Sequence, residues 1–308
     1  MSFIRKNERG QAIVLMVLAL VVIVGMAALV LDVGAWFRTK RRLQGTADAA
    51  ALAGAQLLPK DPSGAKSMAQ NYADQNGGSV AGGDIVVTST YGPDDTISVK
   101  AAKTDPGIFS GVLGITSAKI DAHAKARVDS PAQARYVAPM VVYCDHPLIR
   151  NCDGKGSPTF KVPTVMNYDK MGAPGAFGML NLDGGGGTPG SSQEADWIRR
   201  GFDKYLPLGI YRSDPGAKFE SQNITAALDA RIGTVLLFPV FKTLTMQGQN
   251  AEYDIIGWIG FKLVSYVVKG NTAVLTGYFT EYIAQGILSS TGPGPTPGFG
   301  VTSIQLIE

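Results

Sequence analysis

The residues best suited to chemistry are the two cysteines, Cys144 and Cys152, which enclose a short loop. In an exported protein this pair is expected to form a disulfide. Closing so small a loop would stabilise the fold by about 2 to 3 kcal/mol. A metal site would instead add His146 and Asp153 to the two thiolates, although a structural zinc site usually takes a second ligand pair from elsewhere. A free thiol pair in a cytosolic protein is the third alternative.

The other polar residues form no recognisable catalytic group. His123 and His146 are the only histidines, so the sequence has few residues from which a Ser/His/Asp triad or a His-rich catalytic metal site could be built. Acidic residues are scattered without a distinctive pair, and the glycine run at 184–187 lacks the Gly-Lys-Ser/Thr ending of a phosphate loop. The sequence therefore predicts no catalytic, cofactor-binding or metal-binding residues, a flexible loop at the glycine run, and a protein that is not an enzyme.

The charge of the chain is concentrated near its start. Lys and Arg number 28 against 25 Asp and Glu, but residues 1–42 hold seven of the basic residues and two of the acidic ones, leaving 21 against 23 for the rest. Nucleic-acid binding would require a basic stripe on the folded body, and no such stripe occurs. The sequence therefore predicts no nucleic-acid partner.

Residues 12–31, from Ala12 to Leu31, form an uncharged apolar run of the length that crosses a bilayer as a helix. The run has no polar face at the helical period, which a buried helix of a soluble protein would show. A cleaved signal sequence is the alternative, with 33–35 as its small-residue site. The run is longer than a signal core, however, and Asp32 precedes that site. We expect the run to be retained as a transmembrane helix.

The orientation of this helix does not follow from charge, because cations flank both of its ends. Long domains are translocated largely regardless of nearby charge. We therefore predict a single-pass protein of the cell membrane with residues 1–11 as a cytoplasmic flank and the body outside the cytoplasm. The flanking cations are Arg5, Lys6 and Arg9 before the run, and Arg38, Lys40, Arg41 and Arg42 after it.

An alanine-rich segment continues the helix beyond the membrane as far as Pro59, giving a nearly continuous rod. Small residues recur on it at three- and four-residue steps, which allows close packing against a neighbour. That neighbour could be the protein's own β domain, or a helix of a second copy or another protein, which would make a homo-oligomer. The stripe comprises Leu43, Ala47, Ala50, Ala51, Gly54 and Leu58.

The N-terminal region resembles the TadG/TadE-like proteins of Flp (Tad) pilus assembly. The resemblance lies in Arg9-Gly10 before the apolar run, Asp32 and Gly34 at its end, and the segments 43–44 and 47–55. It implies a non-catalytic structural or assembly factor whose partners are the lipid bilayer and other components of the pilus or secretion system. Prepilins of that system usually carry a glutamate where this chain has Leu15, which argues against a polymerising subunit.

The body is predicted to have an α+β fold in two parts. Residues 32–138 would contain the long helix and a small α+β unit that is pilin-like in outline, and residues 139–308 a mainly antiparallel β domain with short helices. The first part has a predicted helix at 63–75, strands at 85–90, 96–101 and 120–128, and a brief helix at 106–113. The second has strands at 140–143, 234–241, 253–268, 272–282 and 301–307, and helices beginning at Ser191 and Ile224. Residues 269–271 are predicted as a hairpin turn that joins the strands at 253–268 and 272–282. Ser191 and Glu194 would form a capping box.

The sequence thus predicts an accessory or minor structural component of a Flp/Tad-type pilus. Two alternatives use the same anchor. One is an extracytoplasmic ligand-binding or hydrolytic protein, which would need a deep polar pocket within residues 139–308. The other is a surface adhesin unrelated to pili.

Overall fold

The computed structural model describes residues 9–78, 80–169, 173–184, 188–214, 216, 218–246, 250–289, 292–294 and 298–307. Residues 1–8 of the predicted flank and 185–187 of the predicted glycine loop lie outside them. The chain divides into two compact units, the first comprising Met1–Ser89, Thr96–Ala126 and Leu306–Glu308 and the second Thr90–Asp95 and Arg127–Gln305. The sequence placed the boundary near residue 138, about a dozen residues later than the main division.

The first unit is built on helix α1 (Arg9–Ala55), which runs without a break from the apolar run into the alanine-rich segment. It ends at Ala55, slightly before Pro59, because the amides of residues 56–58 bond to carbonyls three residues back. Helix α2 (Pro62–Gln75) follows, and the Asp61 side chain caps it by accepting a hydrogen bond of 2.8 Å from the Gly64 amide.

Three strands complete the described part of this unit: β1 (Ile85–Thr88), β2 (Thr96–Pro106) and β3 (Ser117–Asp129). β1 pairs antiparallel with β2, and β3 lies on the other side of β2. Residues 107–116 join β2 to β3 and are called the hairpin tip below. The predicted helix at 106–113 is wrong in extent: strand pairing continues to a Gly107–Thr116 hydrogen bond of 2.9 Å, which confines helical backbone to a 3-10 turn at Ser110–Leu113.

The second unit begins with short strands and ends with long ones. In chain order its elements are β4 (Gln133–Ala134), β5 (Met140–Tyr143), β6 (Pro163–Tyr168), β7 (Ala176–Met179), α3 (Ser191–Arg200), β8 (Leu206–Pro207), β9 (Gly209–Arg212), α4 (Gln222–Asp229), β10 (Val235–Thr245), β11 (Glu252–Lys269), β12 (Thr272–Thr280), β13 (Tyr282–Ile283), β14 (Gly286–Ile287) and β15 (Val301–Leu306).

A closed sheet forms the centre of this unit. Strands β10, β5, β7, β6, β12 and β11 are neighbours in that order, and β10 also pairs with β11, so the sheet closes on itself. The predicted hairpin between β11 and β12 is confirmed, with Lys269 opposite Thr272 and Gly270 at a φ of 60° in the turn. The pairs β10–β5 and β6–β7 are parallel. The predicted α+β fold, with mostly antiparallel strands, is confirmed.

Apolar side chains from the closed sheet and both short helices form the larger of two buried clusters, and a second cluster includes Leu237, Trp258 and Trp197. The rings of Phe238 on β10 and Phe261 on β11 stack with centroids 5.2 Å apart, and Ile198 of α3 and Leu228 of α4 are fully buried in the larger cluster. The β-branched and aromatic composition of the strands explains this arrangement, since such residues pack well on a pleated surface.

Candidate functional site

The first candidate site is the apolar half of α1. Its most apolar 18-residue window has a mean hydropathy of 3.2, and none of that window is buried. From Ala12 to Leu31 the side chains are exposed on every face, apart from partial cover at Ala28 and Leu29. So large an apolar surface is unfavourable in water but fits the hydrocarbon of a bilayer. Among the described residues, α1 is the one helix long and apolar enough to cross a membrane.

Asp32 ends the apolar run and is buried, with 3% of its surface exposed. Its Oδ2 atom accepts hydrogen bonds from the backbone amides of Phe109, at 2.8 Å, and Ser110, at 2.6 Å. Two N–H donors compensate the cost of burying a carboxylate. The aspartate named in the resemblance therefore fixes the hairpin tip against α1.

Polar side chains continue this attachment along the next turns of the helix. Thr39 donates a hydrogen bond to the Asp105 carboxylate on β2, and Gln44 Nε2 donates to the His123 carbonyl on β3 at 2.9 Å. Hydrogen bonds from Thr39 and Lys103 hold the pKa of Asp105 below its ordinary value. These contacts orient α1 on the sheet of the first unit through specific hydrogen bonds.

The small-residue stripe lies inside the first unit. Its members are Leu43, Ala47, Ala50, Ala51, Gly54 and Leu58, and all are buried. At Gly54 the contact is especially close, because a Cβ there would lie 2.6 Å from Ile97 Cδ1 on β2 and 2.8 Å from the Ala65 carbonyl oxygen on α2. In this structure the stripe packs against the protein's own α2 and β2.

Cys144 and Cys152 form a disulfide with their Cα atoms 4.9 Å apart. With both sulfurs bonded to each other, neither is a thiolate ligand, and Asp153 caps the Lys155 amide at 3.1 Å. The loop is also closed by a 3.0 Å hydrogen bond from the Asn151 amide to the Cys144 carbonyl. This arrangement orders the loop and does not assemble the alternative metal site.

The two histidines have different surroundings. His146 is part of the disulfide loop and is buried, and its Nδ1 accepts a hydrogen bond of 3.1 Å from the Leu148 amide. Burial lowers the pKa of His146 to about 4. Its ring meets the edge of Phe279 at 4.9 Å. His123 lies at the surface with Nε2 2.9 Å from an Asp121 carboxylate oxygen. Packing accounts for the position of His146, and the surface contact with Asp121 accounts for that of His123.

A buried ionisable cluster in the second unit was not predicted. Glu194 on α3 is fully buried, and its Oε1 lies 3.3 Å from Lys218 Nζ, which also donates to the Pro189 carbonyl at 2.7 Å. Burial, and then hydrogen bonding with Asp214, raises the pKa of Glu194 to about 8. The predicted capping box is wrong, because Gly190 is the N-cap of α3 and Glu194 turns inward towards Lys218.

Glu194 has a raised pKa, which is common among catalytic acids. The Glu194 side chain has almost no exposed surface, however. The cluster therefore joins α3 to the segment after β9 through a polar contact in which Glu194 is buried and the Lys218 side chain is 40% exposed. Sequence reasoning had no signal for it, since Asp214 and Lys218 are distant from Glu194 along the chain.

These features define a class of protein: one apolar N-terminal helix leads without interruption into a hydrogen-bonded α+β body. Comparison with family models refines this class, because residues 10–57 match the TadE/G-like Flp pilus-assembly family. The match covers the N-terminal region and corresponds closely to α1. No curated protein and no solved structure matches the chain. The pilin-like outline of the first unit stays a prediction.

Proposed function

We propose that this protein is a membrane-anchored, non-catalytic accessory or minor structural component in Flp/Tad-type pilus assembly. One observation carries the proposal: the family match at residues 10–57 coincides with α1, which has an apolar half and a half packed on the body. The match therefore covers a complete structural element. Other pilus or secretion-system components and the lipid bilayer are the partners.

In this proposal the body lies outside the cytoplasm and residues 1–11 lie inside. The Cys144–Cys152 disulfide supports that orientation, because such bonds persist in oxidising compartments and are rare in the cytosol. Thiol labelling of intact cells tests it. An impermeant maleimide should label the two cysteines only after treatment with a reductant. Labelling without reductant would contradict the disulfide, and no labelling after reduction, in cells that do label once permeabilised, would contradict the extracytoplasmic location.

A structural role for the second unit is supported by two buried groups with perturbed pKa values, His146 and Glu194. Each is buried and held by neighbouring protein groups. A hydrolytic or ligand-binding protein would place such groups in an open pocket. We therefore assign these groups to the stability of the second unit.

A clean deletion in the native bacterium tests the function. Loss or alteration of pili, seen by electron microscopy and by the amount of surface pilin, is expected, together with rescue by the full chain. A chain with Val21→Arg should fail to rescue, because a cation near the middle of the span opposes insertion. Ser67→Arg, on the exposed face of α2, is the matched control and should rescue. Normal pili in the deletion strain would refute the proposed function.

A further inference from the structure

The hairpin tip presents an apolar surface that the anchor alone does not explain. Residues 107–116 contain no Asp, Glu, Lys or Arg, whereas charged residues occur just outside them at Asp105 and Lys119. Ile108 is 73% exposed, and Phe109 and Ile115 are 44% and 46% exposed. Three large apolar side chains at the end of a hairpin are a feature that a loop in water would not be expected to show.

The hairpin tip lies beside the apolar half of α1, at residues 12–31. Phe109 and Ser110 line an apolar groove together with Leu20, Val21, Val24, Gly25, Ala28 and Leu29 of that helix. Ala28 precedes Trp36 by two helical turns, which is about 12 Å along the axis. Trp36 and Phe37, followed by Arg38 and Lys40, have the composition of a membrane interface. The tip thus lies on the hydrocarbon side of that interface.

Five backbone amides of the tip have hydrogen-bond partners within the first unit. The Gly107 amide bonds to the Thr116 carbonyl, the Ile115 amide to the Ser110 carbonyl, and the Gly114 amide to the Gly111 carbonyl. The amides of Phe109 and Ser110 donate to the Asp32 carboxylate. Backbone polar groups without partners are costly at membrane depth, and these hydrogen bonds lower that cost for the tip.

A glycine is required for this compact form. A Cβ at Gly107 would lie 2.5 Å from the Ile115 carbonyl oxygen, so a larger residue would force the two ends of the tip apart. The close approach of Gly107 to Ile115 allows the Gly107–Thr116 hydrogen bond to form and holds the exposed apolar side chains of the tip next to each other. We predicted a brief helix at 106–113 from the sequence. The absence of charged residues over 107–116 was the sequence feature that could have indicated a membrane contact instead.

We propose that the hairpin tip is a second membrane contact, inserted among the acyl chains of the leaflet on the body side and held there by Asp32. The proposal rests on the proposed membrane anchor. The occupant of the groove is lipid, because the groove is continuous with the lipid-facing surface of α1 and has an almost wholly apolar lining. The first unit would then be held to the bilayer at two points, which restricts rotation of its sheet about α1.

Site-specific fluorescence tests the proposal in the full chain. Cys144 and Cys152 are the only cysteines and are joined, so Ile108→Cys can be labelled with an environment-sensitive dye without reductant. The labelled chain is reconstituted in vesicles of phosphatidylethanolamine and phosphatidylglycerol, with or without lipids carrying a nitroxide on the acyl chain. Val24→Cys reports the anchor, and Ser67→Cys on α2 reports water.

We expect nitroxide lipid to quench the dye at residue 108 several-fold more than the dye at Ser67, at a level comparable with Val24. Adding Asp32→Asn should lower quenching at residue 108 and leave that at Val24 unchanged. If the dye at residue 108 is quenched no more than the dye at residue 67, while the dye at residue 24 is quenched, the tip proposal is overturned and the anchor is unaffected. Protection of 108 from both lipid and aqueous quenchers would overturn it in favour of a protein partner. Aqueous exposure of Val24 would refute the anchor itself, and the tip proposal with it.

Discussion

The packing of the small-residue stripe can be tested by adding one methyl group at two glycines of α1. Gly45→Ala places its Cβ where no atom lies within 4 Å, and Gly54→Ala places it 2.8 Å from the Ala65 carbonyl oxygen and 3.1 Å from Ala69 Cβ. Both substitutions remove a glycine from a helix interior, which favours the folded state by up to about 1 kcal/mol. The propensity gain is common to both variants and cancels in their comparison.

The difference between the two variants is therefore the overpacking cost at residue 54. A backbone carbonyl cannot rotate away as a flexible side chain can, so α1 and α2 must separate. Overpacking of this kind costs about 1 to 3 kcal/mol. Gly45→Ala should be slightly stabilising, and Gly54→Ala should fall below it by that amount, which corresponds to about 2 to 4 °C in Tm per kcal/mol.

Thermal unfolding of the detergent-solubilised full chain, followed by circular dichroism, measures the gap. Hydrogen exchange of the α2 amides assigns it to the first unit, because separation of the helices should speed exchange in α2 for Gly54→Ala alone. Equal Tm values for the two variants, with unchanged exchange in α2, would refute the packing of the stripe on α2 and β2. The stripe would then be available to another helix, as the sequence also allowed.

Three further predictions concern the second unit. The pKa of Glu194 is raised from 4.5 to about 8, so between these pH values the folded chain keeps a proton that the unfolded chain releases. Stability should therefore fall as pH rises through that interval. In a series of Tm measurements against pH, Glu194→Gln should make this fall smaller. Because the pKa of His146 is lowered from 6.5 to about 4, the stability present above pH 6.5 should be lost as pH falls through about 4. His146→Gln should reduce this loss of stability at low pH in the same series of Tm measurements. The double variant Cys144→Ala/Cys152→Ala should lose about 2 to 3 kcal/mol by denaturant titration, and a loss within error of zero would contradict the role of the disulfide in ordering its loop.

Local sequence was sufficient for the elements whose cause is local. The apolar run and the alanine-rich segment predict a helix, and α1 extends from Arg9 to Ala55. The two-residue turn between β11 and β12 follows in the same way from Gly270, whose positive φ suits a hairpin. In these places propensity, hydrophobic pattern and turn chemistry agree with the tertiary structure.

Prediction failed where distant residues determine the outcome. Glu194 has the spacing of a capping box, but its contact with Lys218 and its pairing with Asp214 draw the side chain inward. The partners of Asp32 lie 77 and 78 residues away in sequence, so no local pattern identifies them. The closure of the sheet through the β10–β11 pairing is likewise a long-range property.

The end of the family match has a structural meaning. If the matched residues were only a membrane anchor, the match would be expected to stop near Leu31, yet it continues to residue 57, just past the end of α1. The second half of that segment contains the buried stripe, and its close contact at Gly54 requires α2 and β2 on the opposite side. The second half of the segment therefore needs a folded body against which it can pack.

Helix α1 has one half suited to lipid and one half suited to protein, and Asp32 lies at their junction with its carboxylate hydrogen-bonded to the body. Movement of the anchor would thus be transmitted directly to the first unit, which is compatible with the membrane-anchored role in pilus assembly proposed above.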